Sequence, residues 1–397
     1  MIKHIVLRIY HKLTVKGIYN DERPEPDIDK WQDFVNSFPE PKDDFEQTYF
    51  KYLCRLKYFP FYYTLIINFF GFFALLYHIS VLFKKPKDIS KKTKDGFLVI
   101  KNPFVEYDDV LPEALKLKYG NLYDTITPQI SDCFLDSVSR ECLKESFKRY
   151  PFSFYFNFIL FRELAMLSYY KSNYSVKAIV FSVYERQFTS PLMTYCCEKD
   201  GYDFVSFQHG EYLLNFILCF RKFTTYFIWD KHYIEVFDKN LRCSMGSYQI
   251  YTPLKYQRII NKFINHRIYE YYITYYLSNE SKKRLKRIAN IFTLFKNKGY
   301  KCCVRPHPRH SDMELINEYF KGFTVEDPYI TNIEESIMKT KYATSLNSTV
   351  LTEAFYGGKT IVIDDYSEPE RYYNLKKRKY IMLDKPHILL TDLVRDL

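Results

Sequence analysis

The stretch 300–365 gathers residue types suited to holding a phosphate. Val304-Arg305-Pro306-His307-Pro308-Arg309 closes the short apolar run 300–304, so it reads as the loop at the carboxyl end of a buried strand, where open α/β sheets place their ligands. Further on, Ala343-Thr344-Ser345-Leu346-Asn347-Ser348-Thr349 leads into the helical run 350–356. Ser348 or Thr349 serves as N-cap, Glu353 lies in the first turns and Gly357-Gly358 is the stop. The run 360–365 is the next strand. Such a junction presents free backbone N–H groups and the positive end of a helix dipole, and phosphate is its natural occupant. Arg305, His307 and Arg309 add cationic or proton-donating partners. Taken singly, the Arg-Pro-His-Pro run is more often a rigid surface turn and Ser348 an ordinary cap than a ligand site. Their order within one strand-helix-strand pattern favours a shared ligand.

A second cluster, Gln208-His209-Gly210-Glu211, follows the strand 203–207. An imidazole at a strand end titrates near neutral pH, so His209 can take a proton from a hydroxyl; its bland alternative is a turn histidine bonded to backbone. Glu185 ends the strand 177–183, and Asp108 and Asp109 follow the strand 96–100, which makes them the other carboxylates placed at strand ends.

The elements that must position these groups come in two alternating runs. The first covers the strands 96–100, 177–183, 203–207 and 226–229, with helices in 125–172, 190–199 and 231–240; the second starts with the strand 270–277 and the helix 281–298. The order predicts an α/β protein with two Rossmann-like domains facing a central cleft: residues 94–248 for the acceptor and 270–397 for the nucleotide, joined by a basic linker, 249–269. Residues 1–93 form an N-terminal helical extension. It begins without a signal-peptide apolar core, continues through an acidic, proline-bearing segment, and contains Phe61–Phe83, a stretch with no charged side chain. Lysines flank that stretch on both sides, so it fits an interfacial helix better than a spanning one; a helix buried inside the fold is the alternative.

Composition sets further bounds. A chain of 397 residues with 47% hydrophobic side chains suffices for two cores. Its net charge of +11 suits an anionic partner, a nucleotide or a phospholipid surface. Nucleic acid is not expected, for want of a zinc finger, an RNP-type aromatic motif or a clustered basic stripe. Nine cysteines with no CxxC point to reduced, buried thiols and a cytosolic setting.

Gln208-His209-Gly210, Arg305-Pro306-His307-Pro308 and Ser345-Leu346-Asn347-Ser348-Thr349 together resemble the motifs of bacterial surface-polysaccharide glycosyltransferases of GT-B fold. The nearest patterns are the CMP-sugar-dependent sialyltransferases and Kdo transferases, with CDP-glycerol glycerophosphotransferases similar through a His-Gly motif. The resemblance covers about three quarters of the chain, residues 96–390. It implies transfer of a sialic acid- or Kdo-like sugar from a CMP-activated donor to a glycan or glycolipid acceptor, in capsule, lipooligosaccharide or O-antigen synthesis. It implies phosphate contacts from His307, Ser348 and Thr349, and, through the glycerophosphotransferases, a base at His209. The acidic Asp/Glu-Asp/Glu-Gly motif of several such enzymes is absent, which leaves Glu185, Asp108 and Asp109 as carboxylate alternatives. No DxD pair stands in a metal-binding setting, so no metal or other cofactor is expected. A peripheral place on the inner face of the cytoplasmic membrane is expected, and a non-catalytic membrane-docked scaffold is the alternative from another class.

Overall fold

The computed structural model describes residues 27–57, 59–84, 95–100, 109–125, 127–181, 187–263 and 269–397. Asp108 and Glu185 lie outside the described residues, as do the lysines of 85–94. The chain divides into two compact units, Met1–His209 with Asn215–Tyr251, and Gly210–Leu214 with Thr252–Leu397.

The first unit carries a six-stranded sheet: β1 Phe97–Ile100, β2 Leu122–Thr125, β3 Ala178–Phe181, β4 Asp203–Phe207, β5 Lys222–Ile228 and β6 Ser244–Ile250. The strands run in the order β2-β1-β3-β4-β5-β6 and every pairing is parallel. β1 and β3 are short apolar runs, buried along their whole length because helices cover both faces, as a parallel sheet requires. The edge strand β6 is different. Its Ser-Met-Gly-Ser-Tyr-Gln-Ile sequence is largely exposed and lacks an apolar run, and the sequence placed part of it in a linker. Helix Phe154–Asn173 is mostly apolar and almost wholly buried, since it packs between helices Phe61–Tyr77 and Ser137–Arg149. Helix Asp44–Leu56 also belongs to this core: it packs on helix Ser190–Lys199 and buries Tyr52 and Cys54.

Among the buried ionisable side chains there, Lys51 is tied to backbone. Lys51 donates to the carbonyls of Cys219 (3.0 Å) and Ile217 (3.2 Å), and burial, reinforced by Arg221, lowers its pKa to about 7. All nine cysteines are buried and none forms a disulfide.

The second unit repeats the plan with β7 Tyr271–Tyr276, β8 Cys302–Arg305, β9 Thr324–Val325, β10 Thr340–Ser345, β11 Thr360–Ile363 and β12 Ile388–Leu389. The order is β12-β11-β10-β7-β8-β9, again all parallel. Counted within the unit this is 6-5-4-1-2-3, the dinucleotide-fold order, with its reversal between β7 and β10. The α/β class with two Rossmann-like units therefore holds. Helix Lys282–Asn297 starts at Ser281, whose Oγ accepts from the Arg284 amide at 3.4 Å, and lays Leu285, Ile288, Phe292 and Phe295 on the sheet beside Ile273 and Tyr275. Burying side chains of this size is worth roughly 1.5–3 kcal/mol each. The two-residue strands β9 and β12 are too short to show period in the sequence. Residues 249–269, expected as a linker, carry helix Leu254–Phe263, which packs on helix Thr349–Tyr356.

Candidate active site

In the second unit the two motifs after β8 and β10 flank the end of β7. The register pairs Tyr276 with Arg305 on one side and Tyr275 with Thr344 on the other, so the loops 306–311 and 346–348 leave the sheet on either side of 277–281. This is the carboxyl edge at the reversal of strand order, where a doubly wound sheet leaves a crevice.

Each predicted side chain there has a distinct setting. Arg305 is buried, and its guanidinium donates to Glu326 Oε2 (2.6 Å) and to the Thr331 carbonyl (2.8 Å), which ties β8 to the segment after β9. His307 is half-buried. Its Nδ1 accepts the Arg309 amide proton at 3.1 Å, so the neutral ring carries its hydrogen on Nε2. Desolvation, with His310 and Arg309 nearby, lowers its pKa below the ordinary histidine value and keeps this form dominant at neutral pH. The His307 amide donates to Ser311 Oγ (2.8 Å), which donates in turn to the Ser278 carbonyl (2.8 Å), linking the loops after β8 and β7. Pro308 and Arg309 are exposed, and the Pro308 carbonyl accepts from the Tyr329 hydroxyl.

On the other flank, Ser345 is buried and donates to the Tyr276 carbonyl at 3.0 Å, a tie between strands. Asn347 and Ser348 are half-buried and Thr349 is exposed. Ser348 caps helix Thr349–Tyr356 as expected, its Oγ accepting from the Val350 amide at 3.2 Å, which leaves the hydroxyl hydrogen available to a ligand. Glu353 sits one turn into that helix, 3.5 Å from Lys255 Nζ, and burial raises its pKa despite that lysine.

A buried network supports this edge, one that local sequence hardly signals. Arg284 donates to Glu280 Oε1 (3.2 Å), Tyr275 Oη (2.8 Å) and Ser367 Oγ (3.0 Å). Tyr275 and Ser367 both donate to Asp364 Oδ2, and Asp364 Oδ1 accepts the amides of Tyr366 (3.0 Å) and Ser367 (2.8 Å). Glu280 accepts the Ser278 amide at 2.7 Å, so the network fixes the loop after β7. The only signals were the i,i+4 spacing of Glu280 and Arg284 and an aspartate at a strand end. Asp365, the other half of the Asp-Asp pair, holds the Thr391 amide and hydroxyl.

In the first unit Gln208 clamps the ends of two strands, and His209 follows it. The buried Gln208 donates its amide to the Phe227 carbonyl (2.8 Å) and accepts the Trp229 amide on Oε1 (2.9 Å). Its own carbonyl lies 2.9 Å from the Tyr251 hydroxyl. The carboxyl ends of β4 and β5 are thereby locked, and half-buried His209 follows directly. A Cβ on Gly210 would meet nothing within 4 Å, so packing among the described residues does not require glycine there. Asp109 is exposed in the turn before Val110.

Glu211 lies in the second unit's short segment Gly210–Leu214. Its Oε1 is shut off from solvent with no hydrogen-bond partner among the described residues, and burial raises its pKa to about 8 despite Lys255. A carboxyl whose folded pKa lies above its unfolded value contributes stability that is full below the unfolded pKa and falls as pH rises toward the folded one. Glu211→Gln should therefore stabilise the protein at pH 8–9 by up to a few kcal/mol, with little effect at pH 4. Calorimetric melts of both proteins across that range check this; a difference that does not grow with pH would show that Glu211 titrates normally.

No protein-family model matches the sequence, and no curated protein does. Among solved structures the chain is similar to the wall teichoic acid polymerase TagF with CDPG, at 12% identity and a TM-score of 0.42, covering 82% of this chain and 87% of that one. It is also similar to the UDP-GlcNAc 2-epimerase of Methanocaldococcus jannaschii with UDP-GlcNAc and UDP, at 12% identity and a TM-score of 0.39, over 76% of this chain and 90% of that one. A glycosyltransferase from Rickettsia africae scores 0.36 at 11% identity, over 76% and 96%. With TM-scores this low, the fold assignment stands on the chain's own strand order.

Proposed function

We propose that the chain is a glycosyltransferase that takes a cytidine nucleotide-sugar, most naturally a CMP-activated one, and passes the sugar to a hydroxyl of a glycan or glycolipid acceptor in surface-polysaccharide synthesis. The observation that carries this is the pairing of His307 and the Ser348-capped helix on the two flanks of β7, at the reversal of a dinucleotide-type sheet. The donor phosphate would accept from the Ser348 hydroxyl, the first amides of helix Thr349–Tyr356 and His307 Nε2–H. As the bond from the anomeric carbon to the phosphate oxygen breaks, charge collects on that oxygen, and donors already fixed around it lower the barrier without reorganising. These groups would do the work a divalent cation does in other transferases, so turnover should survive EDTA.

The acceptor hydroxyl gives its proton to a base as its oxygen bonds to the sugar carbon. His209, next in the chain to the Gln208 clamp, is the base we assign. Asn347 and Glu353 would face the nucleotide, Arg305 would hold β8 in place through Glu326, and Arg309 would add charge near the phosphate.

Transfer of glycerol phosphate from a CDP-activated donor is a second reading, supported by the Gln208-His209-Gly210 sequence. Titration calorimetry with CMP, CDP and UDP, followed by hydrolysis assays on the matching donors, tests both. CMP should bind most tightly. Preference for CDP with cleavage of CDP-glycerol would favour the second reading, and tight UDP binding without CMP or CDP would refute the cytidine assignment. Nucleotide binding with no donor cleavage would indicate a scaffold.

A further inference from the structure

The helix Phe61–Tyr77 is built inside out. Its polar side chain Asn68 faces the protein: Oδ1 accepts the Tyr155 amide at 3.1 Å and Nδ2 donates to the Thr64 carbonyl at 2.9 Å. The His78 ring that ends the helix stacks on Phe158. Tyr63, Ile67 and Gly71 form the packed stripe, and a Cβ on Gly71 would stand 2.6 Å from the Tyr155 backbone, so the helix sits as close to Phe154–Asn173 as glycine permits. The opposite stripe, at the same three-to-four spacing, is apolar and open to solvent: Phe61 (79% exposed), Leu65 (59%), Phe69 (61%), Phe73 (51%) and Leu76 (47%). Phe83, 77% exposed, prolongs it past the helix end. A surface helix facing water carries the reverse pattern.

The geometry points to this stripe as a docking face that lies flat in the outer layer of an anionic lipid bilayer. Two features select a bilayer over a protein partner. The exposed hydroxyls of the helix, on Tyr62 and Tyr77, stand in its first and last turns, and the five named residues offer aromatic and aliphatic groups alone, which suits acyl chains. The charge along this stretch of chain is of one sign: the sequence has no acidic residue between Glu46 and Asp88, exposed lysines Lys57 and Lys84 stand at the two ends, and Arg55 joins Phe59, Tyr63, Ile67 and Tyr155 in lining a small pocket beside the first turn. Spanning does not fit. No helix among the described residues is long and apolar enough to cross a membrane, and leaving the protein would break the Gly71–Tyr155 contact.

The proposal goes beyond the transferase reading and does not depend on it, because vesicle binding needs neither donor nor acceptor. The test is flotation of the full chain with vesicles of phosphatidylcholine alone or mixed with phosphatidylglycerol, for the wild type and Phe69→Glu/Phe73→Glu. Both positions are exposed, so an unchanged melting temperature is expected of the variant. The wild type should float with the mixed vesicles, more weakly in high salt and with the neutral vesicles, and the double variant at least about tenfold less. In a second measurement, a Phe73→Trp protein should lose emission to brominated lipid. Wild type that stays unbound, or a double variant that binds equally well, would overturn the proposal. So would a wild-type dimer that the double variant splits while neither binds vesicles, since the face would then belong to a second copy.

Discussion

Arg284→Ala should lower the melting temperature of the second unit by on the order of 10 °C, the largest stability effect of any single change in that unit. Arg284 is 4% exposed and holds three partners at once, Glu280, Tyr275 and Ser367. Its removal strands the carboxylates of Glu280 and Asp364, 3% and 0% exposed, away from water and from the cation they share. Breaking a buried ion pair from one side in this way costs about 3–5 kcal/mol. Arg284→Lys should recover part of the loss, because an ammonium restores the charge but cannot reach all three partners in a fixed fork. High salt should rescue neither variant, since the pair is shielded from the solution. The consequence reaches the site as well: Glu280 holds the Ser278 amide, and the Ser278 carbonyl anchors the Ser311 hydroxyl that supports the His307 amide. Melts followed by circular dichroism decide the matter, and a shift of only one or two degrees would mean that the network is dispensable.

His209→Ala should lower turnover by roughly 10²–10⁴-fold with nucleotide affinity nearly unchanged, the range expected when a general base is lost. His307→Ala should behave otherwise, weakening nucleotide binding and transfer together, because a donor hydrogen bond is lost from ground and transition states alike. Steady-state kinetics beside calorimetric nucleotide binding separates the two patterns. Glu185→Gln is the control for a carboxylate base. Turnover that falls only a few-fold in both His209→Ala and Glu185→Gln would remove both residues as the base and turn attention to Asp108 and Asp109. Gln208→Ala should mimic His209→Ala only in part, with a loss of stability added, since Gln208 satisfies the Trp229 amide and locks the end of β4.

Local sequence determined much of this protein, wherever a short stretch carries its own physical signal. Apolar runs bounded by turn residues marked β1, β3, β4, β7, β8 and β11; Ser348 and Gly357 marked helix ends through chemistry confined to one turn. The unbroken apolar stretch 61–83 was legible as a helix seeking an apolar surface. Its face was not, because that depends on Gly71 meeting Tyr155, a contact between residues far apart in the chain. The same reason explains the other silences. Strands β6, β9 and β12 are polar or two residues long and exist only because a neighbour supplies the ladder, and β2, partly exposed at the other edge, is similar. Arg305, which the sequence offers as a free cation, faces Glu326 across 21 positions, and Gln208, which looks like a site residue, satisfies the backbone at 227 and 229. Charge and hydrogen-bonding capacity are written in the residue; whether they face a ligand or another part of the chain is fixed only when the sheet brings distant segments together.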